Sequence, residues 1–384
     1  MPQKLKNPPA PANAVVKSSQ RLVLMKTFYF LTGIVVVAAL ALHFYHPPVV
    51  VDLEIATEKL AFRPPMVQSP SRPLLKAAPV SLLGFRGPDA FSIQVEKAFW
   101  PVECGPAVPL ASVQEIGSTD LLFTPNPGPD AQLVFLSSRL QISDLTVTGA
   151  NEIALWPRGQ LHHKFNLEIS GGQTQLRLEM LSDAIRVQTQ EYQVQARHAA
   201  QTIAPSHDCL GFRPRADARN AAITGSSSRV LIFYDLLNLD PANEDLLELP
   251  MRVEQVNFYD TQHATNGNAT ASIVECVIFS VDGKKIPELQ GLVHIRQNDL
   301  SGFELRKLRA LHPGRLNATL RGETSTFYAS VGKKLENQTP SALSHLEAKI
   351  GLLIGVLAQI FILYVTLRER IRVGRYFKGV HHEV

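Results

Sequence analysis

Acidic side chains are missing from the start of this sequence and nearly missing from its end. Residues 1–26 carry Lys4, Lys6, Lys17, Arg21 and Lys26 without an Asp or Glu, and residues 368–384 carry five basic residues against Glu369 and Glu383. The imbalance is confined to the ends. Of the 38 basic residues, 11 lie in these tails or at Lys349, as do 2 of the 34 acidic ones, so the middle holds 27 basic and 32 acidic residues. A body that is mildly acidic does not offer the continuous cationic surface that a phosphate backbone needs. The pI near 8.9 belongs to the tails, and no nucleic-acid partner is indicated.

Short signatures of chemistry are missing as well. The chain has no glycine-rich phosphate loop, no nucleophile elbow and no H-E-x-x-H pattern. Ser206, His207, Asp208 and Cys209 are neighbours, but catalytic triads assemble from distant parts of a chain, so this run reads as a polar loop. His162 and His163 project to opposite faces of a strand, and with His198 or His207 they make no characteristic zinc spacing. No catalytic residue, cofactor or metal ligand is assigned from sequence.

Cysteine is scarce, with three in 384 residues. Cys104 (ECGP) and Cys209 (DCLGF) sit in loop-like surroundings and Cys276 sits inside the strand-like VECVIFSV. In an oxidising compartment the simplest pairing is Cys104 with Cys209, leaving Cys276 as a buried thiol; three buried thiols are the alternative.

Two uncharged apolar runs are present, and they organise the rest. Thr27 to Tyr45 and Ile350 to Leu367 are each long enough, at ~1.5 Å per helical residue, to cross a bilayer. Ala39-Leu40-Ala41 offers an A-x-A cleavage pattern, but the apolar run continues past it without a polar cleavage region, which favours an uncleaved anchor. Lys and Arg are retained on the cytoplasmic side, and both tails are basic. The reading is a two-pass protein of a bacterial inner membrane. Residues 1–26 and 368–384 are cytoplasmic tails, 27–45 and 350–367 are transmembrane α-helices, and 46–349 are extracytoplasmic.

The exported part reads as mainly β, an antiparallel β-sandwich region. Val51, Leu53 and Ile55, and Phe91, Ile93 and Val95, alternate with polar residues at period two. Phe165 to Ile169 and Leu176 to Met180 flank Gly171-Gly172 and predict a hairpin. Asn266-Gly267 and Asp282-Gly283 predict further tight turns after Tyr259 and after Val281. Alternation is lost near residues 196–228. This predicts either two smaller sandwiches, 46–200 and 229–345, joined by a linker at 201–228, or one large sandwich crossed there by a long loop. Proline-rich stretches from Pro64 to Pro88, Trp100 to Pro109 and Phe123 to Asp130 read as irregular.

Three glycosylation sequons, at Asn268, Asn317 and Asn337, compare with about one or two expected from ordinary composition, and they matter only in a eukaryotic source. Trp100 and Trp156 beside prolines read as packing at a sandwich rim rather than as sugar platforms. In the second span, Gly351, Gly355 and Ala358 form a small-residue face with Gln359 beside it. An amide at membrane mid-depth needs a partner, and the first span offers only Val35, Val36 and Val37 there, which predicts association with a second copy or another membrane protein. The functional expectation is a structural or adaptor component of a cell-envelope assembly. The alternatives are a ligand-binding sensor or transport accessory protein and, after that, an exported β-sandwich hydrolase.

Overall fold

A computed structural model describes residues 48–338, apart from 66–72, 76, 103, 105–113, 127–130, 162, 198–200, 204–208, 260–271, 297–299, 301, 312 and 332–335, together with Val37, Leu40 and Ala41. The strands in chain order are β1 (Val49–Thr57), β2 (Lys59–Arg63), β3 (Ala78–Arg86), β4 (Phe91–Val102), β5 (Gln114–Ile116), β6 (Thr119–Pro125), β7 (Gln132–Thr148) and β8 (Glu152–Pro157). Then come β9 (Lys164–Ser170), β10 (Gln173–Met180), β11 (Ile185–Gln190), β12 (Tyr192–Ala196), β13 (Gln201–Ile203), β14 (Cys209–Pro214), β15 (Asn220–Gly225) and β16 (Arg229–Leu236). The remainder are β17 (Met251–Val253), β18 (Gln255–Tyr259), β19 (Ser272–Val281), β20 (Lys284–Lys285), β21 (Gly291–Ile295), β22 (Phe303–Leu311), β23 (Arg315–Thr324), β24 (Tyr328–Ser330) and β25 (Glu336–Asn337). Among the described residues no helix is long and apolar enough to cross a membrane. Both spans expected at 27–45 and 350–367 lie outside the described residues, save for Val37, Leu40 and Ala41, which are helical.

All the strand pairs are antiparallel, and residues 49–338 form one compact unit. A nine-stranded sheet runs in the order β17-β22-β23-β1-β19-β21-β24-β25, with β20 on β19. A sixteen-stranded sheet runs β13-β12-β6-β4-β14-β11-β7-β3-β16-β9-β8-β2-β18, with β5 on β4 and the β10–β15 pair attached to β7. The chain passes between the sheets four times, from β1 to β2 at Glu58, from β16 to β17, from β17 to β18 at Glu254, and from β18 to β19.

Alternation explains the layers. One face of the long sheet buries Phe62, Phe85, Phe135, Phe165, Ile232 and Phe212, each at 1% exposure or less. At roughly 1.5–3 kcal/mol per large apolar side chain, this inner face fixes the register, because a slip by one residue would turn it to water.

Several expectations are corrected. Phe165–Ile169 and Leu176–Met180 do not pair as a hairpin: β9 pairs with β8 and β16, whereas β10 pairs with β7 and β15. The hairpin turn lies instead between Pro157 and Lys164, and one two-stranded ribbon continues from β8–β9 into β7–β10. Gly171-Gly172 is the corner in that ribbon. Both glycines have φ above +70°, and a Cβ on Gly172 would meet the Thr148 carbonyl oxygen at 2.3 Å. Residues 201–228, expected as a linker or long loop, carry β13, β14 and β15 within the sixteen-stranded sheet. There, small residues such as Ala221 and Ala222 hide the alternation but still fit a pleated face. The proline-rich stretches also contain strand. β3 occupies 78–86, β4 runs through Trp100 to Val102 and β6 includes Phe123 to Pro125, with Pro79, Pro101 and Pro125 at the first or last two positions. The Asp282-Gly283 turn does join β19 to β20, with φ of 48° and 76°. Asn266-Gly267 lies outside the described residues.

Candidate functional site

Residues directly opposite one another in neighbouring strands share a face of the sheet. Tracing them across the outer face of the long sheet gives a row from Lys164 through Asp235, Leu82, Leu136, Arg186, Gly211 and Phe99 to Glu115. The next row runs from Trp156 through Asn166, Phe233, Gly84 and Val134 to Gln188. The middle of both rows is apolar: Leu82, Leu136, Phe99 and Phe233 are half-buried.

Charge frames one end of this surface. Asp235 pairs with Arg158 and lies 3.5 Å from Lys164, and Glu168 pairs with Arg229 and lies 3.8 Å from Lys59. Lys59 sits over the Trp156 ring at 4.3 Å and the Arg158 guanidinium over Phe233 at 5.3 Å. Phe233 in turn lies flat on Gly84, where a Cβ would stand 1.9 Å from its Cζ. A side chain at 84 would lift this ring off the sheet.

Arg186 breaks the pattern. The residue is 2% exposed, and among the described residues neither Nε nor Nη2 has a hydrogen-bond acceptor. Burial lowers its pKa from the usual arginine value, which still leaves it cationic. Leu136 and Gly211 flank it, and the carboxylates of its row, Asp235 and Glu115, each stand three strands away, on opposite sides. A buried cation whose donors are unmet is unfavourable by several kcal/mol. No protein-family model matches the chain, and no curated protein or solved structure matches it either.

The residues singled out in the sequence fall elsewhere. Cys104 and Cys209 form a disulfide across 105 positions, at the end of the β4–β14 pair where Val102 stands opposite Cys209. Cys276 is a buried thiol in β19. Gly351, Gly355, Ala358 and Gln359 lie outside the described residues, as do Ser206, His207, Asp208, His162 and His198. Among the described residues no cluster of His, Cys, Asp and Glu is arranged to hold a metal. Asn317 donates its amide to Glu54 at 2.9 Å and the Asn337 carbonyl accepts from the Phe327 amide at 3.3 Å, so both side chains already have partners within the sheets. Trp100 packs against the core, while Trp156 belongs to the charged end of the outer face.

Proposed function

We propose that this chain is a membrane-anchored adaptor of the bacterial cell envelope, whose extracytoplasmic β unit binds a protein partner through the outer face around Arg186. The observation that carries the reading is the buried guanidinium with two donors unmet among the described residues, in a row that also holds Leu82, Leu136 and Phe99. Protein interfaces concentrate their energy in a desolvated arginine and aromatic residues surrounded by apolar contacts, which is the chemistry assembled here. The fitting partner brings a carboxylate on an apolar surface.

Placement outside the cytoplasm is supported by the Cys104–Cys209 disulfide, since such bonds persist in oxidising compartments. The apolar runs at 27–45 and 350–367 would anchor the unit, with both basic tails cytoplasmic. The helical positions Val37 and Leu40 leave 66% and 53% of their surface exposed, as lipid-facing side chains do. Gly351, Gly355, Ala358 and Gln359 would add a second contact, within the membrane, to another copy or to the partner.

The test is Arg186→Met in the full chain. Removing an uncompensated buried cation should raise resistance to urea, by about 1–4 kcal/mol, while abolishing co-purification of a stoichiometric envelope partner. Loss of stability with partner binding intact would make Arg186 a structural residue and remove the basis for the reading.

A further inference from the structure

The charged end of the outer face is cationic in a body that is otherwise mildly acidic. Two carboxylates hold four cations there. Glu168 pairs with Arg229 and Lys59, and Asp235 pairs with Arg158 and Lys164, so each of the two groups keeps one positive charge in excess. Arg63, Arg86 and Glu152 bring the outer side of β2, β3, β8, β9 and β16, with Arg158 just past β8, to six basic residues against three acidic ones. Depth sharpens the excess. Both paired carboxylate side chains lie low, at 11% exposure, while those of Lys59, Arg158 and Lys164 are 32–33% exposed and that of Arg229 72%. The Trp156 and Phe233 rings under Lys59 and Arg158 fix two of the cations through a quadrupole, which leaves their charge in place.

The spacing of the two groups narrows the partner. Asp235 stands opposite Lys164, and Glu168 lies four residues further along β9, so at ~3.4 Å per residue the groups are roughly 13 Å apart. Asn166 lies midway between them. It stands opposite Trp156 and Phe233, and its side-chain amide has no hydrogen-bond partner among the described residues. An extended peptide has the same rise per residue, so acidic side chains four residues apart reach both cationic groups while the backbone between them meets the Asn166 amide, a donor and an acceptor. A phosphate backbone, with a charge every ~3.4 Å along each strand, calls for a continuous cationic row. Here a neutral amide interrupts it.

We propose that this end of the outer face docks an extended acidic segment of a protein, with two carboxylates four residues apart, one at Arg229 and Lys59 and the other at Lys164 and Arg158. The proposal rests on the adaptor reading, whose partner it describes by its chemistry. The probe is a synthetic peptide, capped at both ends, with two glutamates separated by three serines; the comparison peptide has the same composition with its glutamates adjacent. Dissociation constants come from ligand-observed NMR on the full chain in phosphatidylcholine nanodiscs. The spaced peptide should bind about two- to fivefold more tightly, the worth of one exposed ion pair. Lys164→Gln with Arg229→Gln leaves each carboxylate one cation, so this double variant should keep its thermal midpoint and lose the preference for the spaced peptide. Arg229→Gln alone, at an exposed position, should abolish the same preference and serves if the double variant is less stable. Equal binding of the two peptides, binding of neither, or a preference that survives these variants would overturn the proposal. Polyphosphate that binds more tightly than the spaced peptide, and is released by the double variant, would also overturn it and assign the face to a phosphate polymer. Arg186→Met should leave the peptide constants unchanged, so a failure here and a failure of the adaptor reading are read from different variants.

Discussion

Tyr192 and Tyr234 show how single buried groups couple this fold to pH. Burial pushes both hydroxyls above the ordinary tyrosine value near 10, and for Tyr192 the charge of Asp89 adds to the effect. Their neutral forms are favoured in the folded state, so their contribution is fully present below about pH 10 and is lost as the pH climbs above it. Urea midpoints should therefore hold steady to about pH 10 and then fall, and the double variant Tyr192→Phe, Tyr234→Phe should flatten that fall. An unchanged alkaline decline in the variant would place its cause elsewhere. Arg186 is the residue that the sequence does not reveal. In IRVQTQ it falls between inward-facing Ile185 and Val187, where period two assigns it to the solvent side with Gln188 and Gln190. Its neighbours in the sheet, Leu136 and Gly211, lie far off in the chain. That the Tyr234 hydroxyl finds no hydrogen-bond partner among the described residues was illegible for the same reason, whereas the loop-like surroundings of Cys104 and Cys209 made theirs the simplest pairing, with three buried thiols as the alternative.

Elements were legible where residues alternate, and their pairing was not. Period two marks β1 and β4 directly, but Gly171-Gly172 has the composition of a hairpin turn and serves as a corner in a ribbon whose hairpin lies at 158–163. Glycine pairs give the chain positive φ in either role, so only the partners decide. Gly172→Ala should cost about 1–3 kcal/mol, since it adds strain at φ +76° and a clash with the Thr148 carbonyl. Denaturant titration checks this, and a cost near zero would show that the corner relaxes. The disulfide closes a loop of 105 positions, and replacing both Cys104 and Cys209 by Ala should lower stability by about 2–5 kcal/mol. Reductant should reproduce that loss in the unmodified chain and have no effect on the variant.

At the scale of the whole molecule, residues 49–338 cohere as one compact unit of two antiparallel sheets, and its first and last strands, β1 and β25, lie in the same nine-stranded sheet. The sequence left open whether β structure before and after residue 201 was one body or two, because a composition shift toward small and polar residues marks a linker and a short-side-chain strand alike. Strand order across a sixteen-stranded sheet is set by contacts between distant segments, and local propensity carries no record of it. The account of the whole chain as an anchored adaptor meets its most direct test in photocrosslinking from p-benzoylphenylalanine placed at Leu136, next to Arg186 on the outer face, with the full chain in its native membrane. Lys285, exposed on the other sheet, is the control position. The account predicts one dominant protein adduct from position 136 that is lost in Arg186→Met and not formed from position 285. An adduct pattern that is the same at both positions, or that survives Arg186→Met, would contradict it.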